Sequence, residues 1–254
     1  IFFASLSRII MTKIAIIIPS RLEAQRLPNK PLELIENKEM ILHVYDQAVS
    51  AQIGEVIVAT PDQKIIDIVK SHGGKAAMTQ KVHKTGTDRI FEVFEKELKK
   101  ETKIIINLQG DMPNIDPSVI RDVANHMKNN TCDIGTIASD IRTEKEIIDP
   151  NVCKVVTTKK ISKDKFASAL DFYRLSKKPS SNLTYHHIGI YAFTNPALIR
   201  YVGLERSKLE QERKLEQLRA LENDMKIEVG YTSSYPLSVD TEEDLINIKQ
   251  LMKK

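Results

Sequence analysis

The stretch KIAIIIPSRLEAQRLPNKPL, residues 13–32, decides how the rest of the chain is read. Its first six residues include the short, continuously apolar run that a strand shows when both faces of its sheet are covered. The run enters a loop that carries Arg21, Arg26 and Lys30 and no glycine. Dinucleotide-binding turns need glycines so that the backbone can approach a pyrophosphate, and the Walker loop needs G-x-x-x-x-G-K-[ST]; this loop has neither. Phosphate here has to be gripped by side-chain cations, the alternative being three solvated surface charges. A position at the carboxyl end of a strand, with Pro19, Pro28 and Pro31 stiffening the loop, favours the grip.

Working outward, the runs EVIVAT (55–60) and KIIINLQGD (103–111) repeat the buried-strand pattern and alternate with amphipathic stretches. In the first of these, Met40, Ile41, Val44, Tyr45 and Ala48 recur at helical spacing. The order is β-α-β-α, which predicts a parallel middle to the sheet with helices on both faces. After Pro150 the rhythm changes. NVCKVVTTKK (151–160) and HHIGIYAF (186–193) are longer strand candidates, separated by a polar Lys- and Ser-rich segment at 159–184. Residues 207–222, SKLEQERKLEQLRALE, read as one highly charged helix, and EEDLINIKQLMKK closes the chain as another. The fold expected is α/β: a three-layer α/β/α Rossmann-like core on a mostly parallel sheet, with a smaller β-rich lobe at about 150–205.

The totals agree with one main core: 254 residues, 41% hydrophobic and 28% charged. The net charge of +4 comes from 38 basic and 34 acidic residues spread along the chain, which makes nucleic acid a weak inference and suits an anionic small substrate equally. Cys132 and Cys153 have no metal-ligand spacing and no partner histidine motif, and read as packing residues of a reducing compartment. Residues 1–10, IFFASLSRII, match neither a signal peptide nor a membrane span of about 20 apolar residues. They are read as an extension outside the fold, with Met11 as the natural start and residues 11–254 as the domain.

Two further segments follow strand candidates. NLQGD (107–111) ends KIIIN and places Asp111 after a glycine that permits a sharp turn, either as a ligand for a hard cation or as a turn or capping residue. In SVDTEEDL (238–245), Asp240 follows strand-like YPLSV, while Thr241 and Asp244 have capping-box spacing, so the segment is a helix start with or without a second metal-ligating carboxylate. Two carboxylates and three cations around one cleft describe phosphoryl-group chemistry.

Together IPSRLEAQRLPNKPL, HKTGTDR (83–89), NLQGD, HHIGIYAF, KLEQLRALE (214–222) and VDTEEDL (239–245) occur in the order found in the 3-deoxy-manno-octulosonate cytidylyltransferases, and the chain resembles that family from about Met11 onward. The resemblance implies a nucleotidyltransferase core with a smaller sugar-binding and dimerisation lobe. It implies transfer of the cytidylyl group of CTP to the sugar acid Kdo, with magnesium, by a cytoplasmic homodimer serving lipopolysaccharide synthesis. No nucleic-acid or membrane partner is expected. Ser20, Arg21, Arg26 and Lys30 then fall on the triphosphate side, with Arg89 and Gln109 near the nucleotide, and Asp111 and Asp240 on the metal-binding aspartates. Arg21, Lys30, Asp111 and Asp240 are the expected catalytic set. Arg174, His187 and Tyr191 match the sugar-acid pocket, and Glu210 lies on the helix that reaches it. A guanidinium such as that of Arg174 suits the Kdo carboxylate, and His187 suits a sugar hydroxyl. Asn29, Thr85, Met112 and Arg213 depart from the family pattern; Arg213 stands where many relatives carry an acidic residue. The rival readings are a cytidylyltransferase for another sugar acid, such as a sialic acid, and a non-catalytic nucleotide- or nucleic-acid-binding protein using the basic segment at 159–178.

Overall fold

The computed structural model describes residues 13–23, 26–174 and 182–253. The expected extension at 1–10 and the start at Met11 lie outside the described residues. The chain runs β1 (Ile14–Pro19), a short hairpin of β2 (Leu34–Ile35) and β3 (Lys38–Glu39), α1 (Met40–Ser50), β4 (Glu55–Thr60), α2 (Gln63–Ser71), β5 (Ala76–Met78), α3 (Gly86–Val93) and β6 (Ile104–Leu108). It continues through α4 (Pro117–Asn129), β7 (Ile134–Ser139), α5 (Glu144–Ile148), β8 (Lys154–Thr157), β9 (Ala167–Tyr173), β10 (Thr184–Thr194) and α6 (Asn195–Gly203). The final elements are α7 (Lys208–Arg213), α8 (Leu218–Leu221), β11 (Ile227–Tyr231) and α9 (Glu242–Met252).

The apolar run of β1 shows why three layers form. Side chains alternate across a strand, so Ile14, Ile16 and Ile18 enter one core with α1, α2 and α4, while Ala15 and Ile17 enter another with α3, α6 and α8. Each buried isoleucine contributes about 1.5–3 kcal/mol relative to exposure. A third, smaller core seats α9 against Leu27, Ile35 and Met40.

Among the described residues nine strands form a single sheet in the order β5-β4-β1-β6-β10-β7-β11-β9-β8. The parallel middle is present in β5, β4, β1 and β6. The expectation of a mostly parallel sheet is corrected beyond β6. There β10 is inserted antiparallel to both β6 and β7, β9 is antiparallel to β11 and β8, and β7–β11 is again parallel. The sheet is therefore mixed. The β-rich segment at 150–205 supplies β8 and β9 at its edge and β10 near its centre, all in that one sheet. Three expectations of local structure are also corrected. β9 lies inside the segment read as polar, the 207–222 helix breaks into α7 and α8 at Lys214, whose φ is 54°, and residues 235–239 are irregular rather than a strand. Among the described residues no helix is long and apolar enough to cross a membrane.

Candidate active site

Since β1, β4 and β6 are parallel, their carboxyl ends deliver Pro19–Ser20, Thr60 and Gln109–Asp111 to one edge of the sheet. A cleft of about 680 Å³ opens there. It is lined by Ser20, Arg21, Arg26 and Lys30 from the opening loop, Arg89 from α3, Gln109 and Asp111 after β6, Glu210 from α7, and Asp240 before α9. Nine of the residues expected from sequence thus share one cavity.

The opening loop is tied at both ends. The Ser20 N–H donates to the Ala59 carbonyl, and the Leu22 N–H donates to the Asp62 carboxylate. Asn29 takes the left-handed conformation at φ 59°, the Asn29 N–H returns to the Leu22 carbonyl, and Lys30 opens a short 3-10 turn with Pro31. This holds the Lys30 backbone while leaving its side chain to reach into the cleft. Across from it, Gly110 makes a close approach possible, because a Cβ there would lie 3.1 Å from the Pro19 carbonyl oxygen.

Asp111 and Asp240 are 129 positions apart in sequence and are brought together by backbone. The Val239 N–H donates to the Asp111 carbonyl at 2.9 Å, and the Leu237 N–H donates to Asn114 Oδ1. Asp240 immediately precedes the α9 cap, where Thr241 and Asp244 form the capping box read from sequence. The two carboxylates converge on one ammonium: Lys30 Nζ lies 3.0 Å from Asp111 Oδ2 and 3.1 Å from Asp240 Oδ1. Arg26 adds a contact at 3.0 Å to Asp240 Oδ2. Burial disfavours the Lys30 charge, yet the two carboxylates outweigh it and hold its pKa above the ordinary value. Burial also pushes Asp240 up, and Lys30, Arg26 and Arg174 reverse this, leaving its pKa lowered. Two hard oxygen donors already converge on a single cation, the donor chemistry that magnesium requires.

The other candidate ligands separate by role. Arg89 is buried and donates to Thr79 Oγ1 at 2.5 Å and to the Gln80 carbonyl, so it braces the loop that carries His83 and Lys84 to the cleft. Arg174, His187 and Tyr191 are not among the residues that line the cleft and form a linked group of their own. The His187 and Tyr191 rings are 5.4 Å apart, Arg174 acts electrostatically on Asp240, His187 and Tyr191, and Arg174 donates to the Asn151 carbonyl at 2.6 Å. The Arg174 carbonyl accepts in turn from the buried Lys154 ammonium, which also bonds the Asp149 and Val152 carbonyls.

His187 has a defined protonation state. The β10–β7 register shifts between Ile188 and Tyr191, and the Thr136 hydroxyl sits against this irregularity, 2.7 Å from the Ile190 carbonyl and 2.9 Å from His187 Nε2. A hydroxyl has one proton. If Thr136 donates it to Ile190, His187 must donate from Nε2, which leaves Nδ1 as an acceptor for a hydroxyl. Burial lowers the His187 pKa to about 3, keeping the ring neutral.

Glu210 lines the cleft, but its capacity is already used. Its Oε1 accepts from Arg206 Nε at 2.9 Å and Arg219 Nη2 at 2.7 Å; its Oε2 accepts from Arg219 Nε at 2.8 Å and the Ser207 N–H at 3.2 Å. Four donors fill a carboxylate. Glu210 thus clamps Arg206 and the buried Arg219, an arrangement that competes with the expected sugar contact. Arg213, the departure noted in sequence, does not enter this clamp and pairs with Asp171 at 2.7 Å.

Sequence reasoning missed several lining residues: His83, Lys84, Arg206, Lys214 and Glu216. Glu216 sits in the second half of the broken charged segment, where burial raises its pKa and Thr87 and Thr85 stand beside it. The signal for it was KLEQLRALE itself, whose apolar positions Leu215 and Leu218 are fully packed. A second cluster, His126, Cys132 and Glu228, brings possible ligand atoms within 4.8 Å at the opposite, amino-terminal edge of β7 and β11. Its carboxylate is already engaged by His126 Nε2 at 2.5 Å and Lys226 Nζ at 2.6 Å, which makes the cluster a hydrogen-bonded network anchored by the Lys226 ion pair.

This fold and cleft define an α/β nucleotidyltransferase. A cytidylyltransferase family model matches residues 15–227. The 3-deoxy-manno-octulosonate cytidylyltransferase of Rhodopseudomonas palustris (strain BisB18) is 43% identical over 242 residues, covering 95% of this chain and 98% of the relative. The protein of that name from Brucella ovis is 42% identical, covering 90% and 91%. A solved CMP:2-keto-3-deoxy-manno-octonic acid synthetase complexed with CTP superposes with a TM-score of 0.85 at 36% identity, covering 95% of this chain and 98% of that one. The 4-diphosphocytidyl-2C-methyl-D-erythritol synthase of Anaerococcus prevotii shares the fold, at a TM-score of 0.64 and 17% identity, with coverage of 96% and 99%. The chain belongs to the 3-deoxy-manno-octulosonate cytidylyltransferase family.

Proposed function

We propose that the chain transfers the cytidylyl group of CTP to Kdo, giving CMP-Kdo and pyrophosphate. The observation that carries this reading is the convergence of Asp111, Asp240 and Lys30 in a cleft lined with further cations, in a chain of this family. The anomeric hydroxyl oxygen of Kdo forms a bond to the α-phosphorus, the bond from that phosphorus to the bridging oxygen breaks, and pyrophosphate leaves with the electron pair. The hydroxyl proton passes to solvent, and no covalent enzyme intermediate is needed.

In this reading Arg21 and Lys30, with Lys84 and Arg26 nearby, offset charge on the triphosphate and the departing pyrophosphate. Arg89 keeps the 79–84 loop in place, and Gln109 and Ser20 border the nucleotide. Arg174, neutral His187 and Tyr191 orient the sugar acid, with His187 Nδ1 accepting from a hydroxyl. Asp111 and Asp240 would hold magnesium, which supplies Lewis-acid polarisation of phosphate oxygens and lowers the pKa of a bound hydroxyl. We also infer a cytoplasmic homodimer, on the family resemblance.

The test is a pyrophosphate-release assay with each of the four nucleoside triphosphates against Kdo and a sialic acid. Release that requires CTP and Kdo together supports the reading. Release with sialic acid in place of Kdo would transfer the assignment to the other sugar acid, and RNA binding without turnover would overturn it.

A further inference from the structure

The most economical explanation of the Asp111–Lys30–Asp240 contacts concerns timing as well as binding. Asp111 Oδ2 and Asp240 Oδ1 both contact the Lys30 ammonium, at 3.0 and 3.1 Å. Magnesium takes oxygen ligands at about 2.0–2.1 Å, so a divalent ion drawing on these same two oxygens competes with Lys30 Nζ for them. Like charge opposes sharing them. The Lys30 backbone is fixed by its N–H bond to the Leu27 carbonyl and by the 3-10 turn, whereas a lysine side chain has a flexible four-carbon stem. Its mostly buried side chain has Arg21, Lys84 and Arg206 as fellow cleft cations, the group to which a triphosphate would be drawn. Arg26 differs: it reaches Asp240 through the other oxygen, Oδ2, and touches one carboxylate alone.

We propose that the two-aspartate cradle is an exchange site in which Lys30 and the divalent metal compete for the same oxygens, so that metal entry releases the Lys30 ammonium to the triphosphate. This rests on the metal role given above to Asp111 and Asp240. Lys30 is then both the resident counter-ion of the cradle and the cation delivered to the nucleotide. Metal binding and nucleotide binding are coupled through this one side chain.

The experiment measures Mn²⁺ binding to the full chain by calorimetry, without nucleotide, in the wild type, Lys30→Met, Arg26→Gln and Asp111→Asn. Removing the competitor should tighten Mn²⁺ binding roughly tenfold in Lys30→Met, within the ~5–150-fold span usual for coupled sites, with a smaller change in Arg26→Gln. In the unaltered wild type, acylation of Lys30 by an amine-directed reagent, read by mass spectrometry, should speed up on adding Mn²⁺ and slow again on adding CTP. Lys30→Met binding Mn²⁺ with wild-type affinity, or Lys30 labelling indifferent to Mn²⁺, would overturn the exchange. If Asp111→Asn abolishes Mn²⁺ binding in that case, the metal assignment survives and the exchange alone falls. If Asp111→Asn binds Mn²⁺ like the wild type, both fall.

Discussion

Replacing Glu210 by Gln separates two accounts of the same residue. In the structure Glu210 is fully buried and accepts four hydrogen bonds, two of them from Arg219, whose side chain is 3% exposed. Removing one partner of a buried charge pair costs about 3–5 kcal/mol, because the remaining charge stays desolvated and unpaired. Gln keeps the shape but turns one acceptor into a donor that faces arginine N–H groups, so the lower part of that range, about 3 kcal/mol, is expected. With a urea m-value of about 3 kcal/mol/M, the unfolding midpoint should fall by roughly 1 M. The loss has a pH signature. Burial pushes the Glu210 pKa up, Arg219 and Arg206 pull it down further, and it ends below 4.5. A carboxylate with a depressed folded pKa contributes stability that is present above the unfolded value and lost as pH falls through the folded one. The gap between wild type and Glu210→Gln should therefore be full near neutrality and should close as pH drops below 4.5. A variant with a wild-type urea midpoint and a raised KM for Kdo alone would refute the clamp and restore the sugar-contact role.

Other consequences follow from individual groups. His187, lowered from 6.5 to about 3, should show the neutral Nε2–H tautomer by ¹⁵N NMR from about pH 5 to 8; titration inside that range would contradict the Thr136 arrangement. Because the unfolded chain binds this proton first, the buried His187 leaves stability at its fullest above 6.5, and stability should fall as pH drops from 6.5 toward 3; the pH-dependent difference between wild-type and His187→Asn urea midpoints measures it, and a difference constant across that range would contradict it. Gly54→Ala places a Cβ 2.1 Å from the Ile14 carbonyl oxygen, a backbone atom at the start of β1, so a loss of at least about 1–3 kcal/mol is expected by urea denaturation, and an unchanged midpoint would show that β1 can move.

How far the sequence led depended on the range of the interactions involved. β1, β4 and β6 were legible because continuous burial on both faces leaves an unbroken apolar run, and α1 because its apolar side recurs at helical spacing. β10 was legible as a strand, but its antiparallel insertion between β6 and β7 is set by partners far away in sequence. β9 was hidden among lysines and serines because ASALDFY breaks its alternation of buried residues after Ala169, where the β8–β9 register shifts. Asp111 and Asp240 were legible as carboxylates beside turns and caps; their meeting depends on the Val239–Asp111 backbone bond and not on a strand at 235–239. The clamp at Glu210 was not legible for a physical reason: a carboxylate in a charged helix looks solvated or ligand-facing until Arg219, brought round by the break at Lys214, bonds both of its oxygens.

The most direct measurement is turnover of Asp111→Asn and Asp240→Asn with saturating CTP, Kdo and magnesium, alongside urea unfolding of the same variants. A cradle that supports the reaction by charge requires each variant to lose on the order of 10²-fold or more in kcat, with unfolding midpoints close to wild type. Near-full turnover in either variant would contradict it.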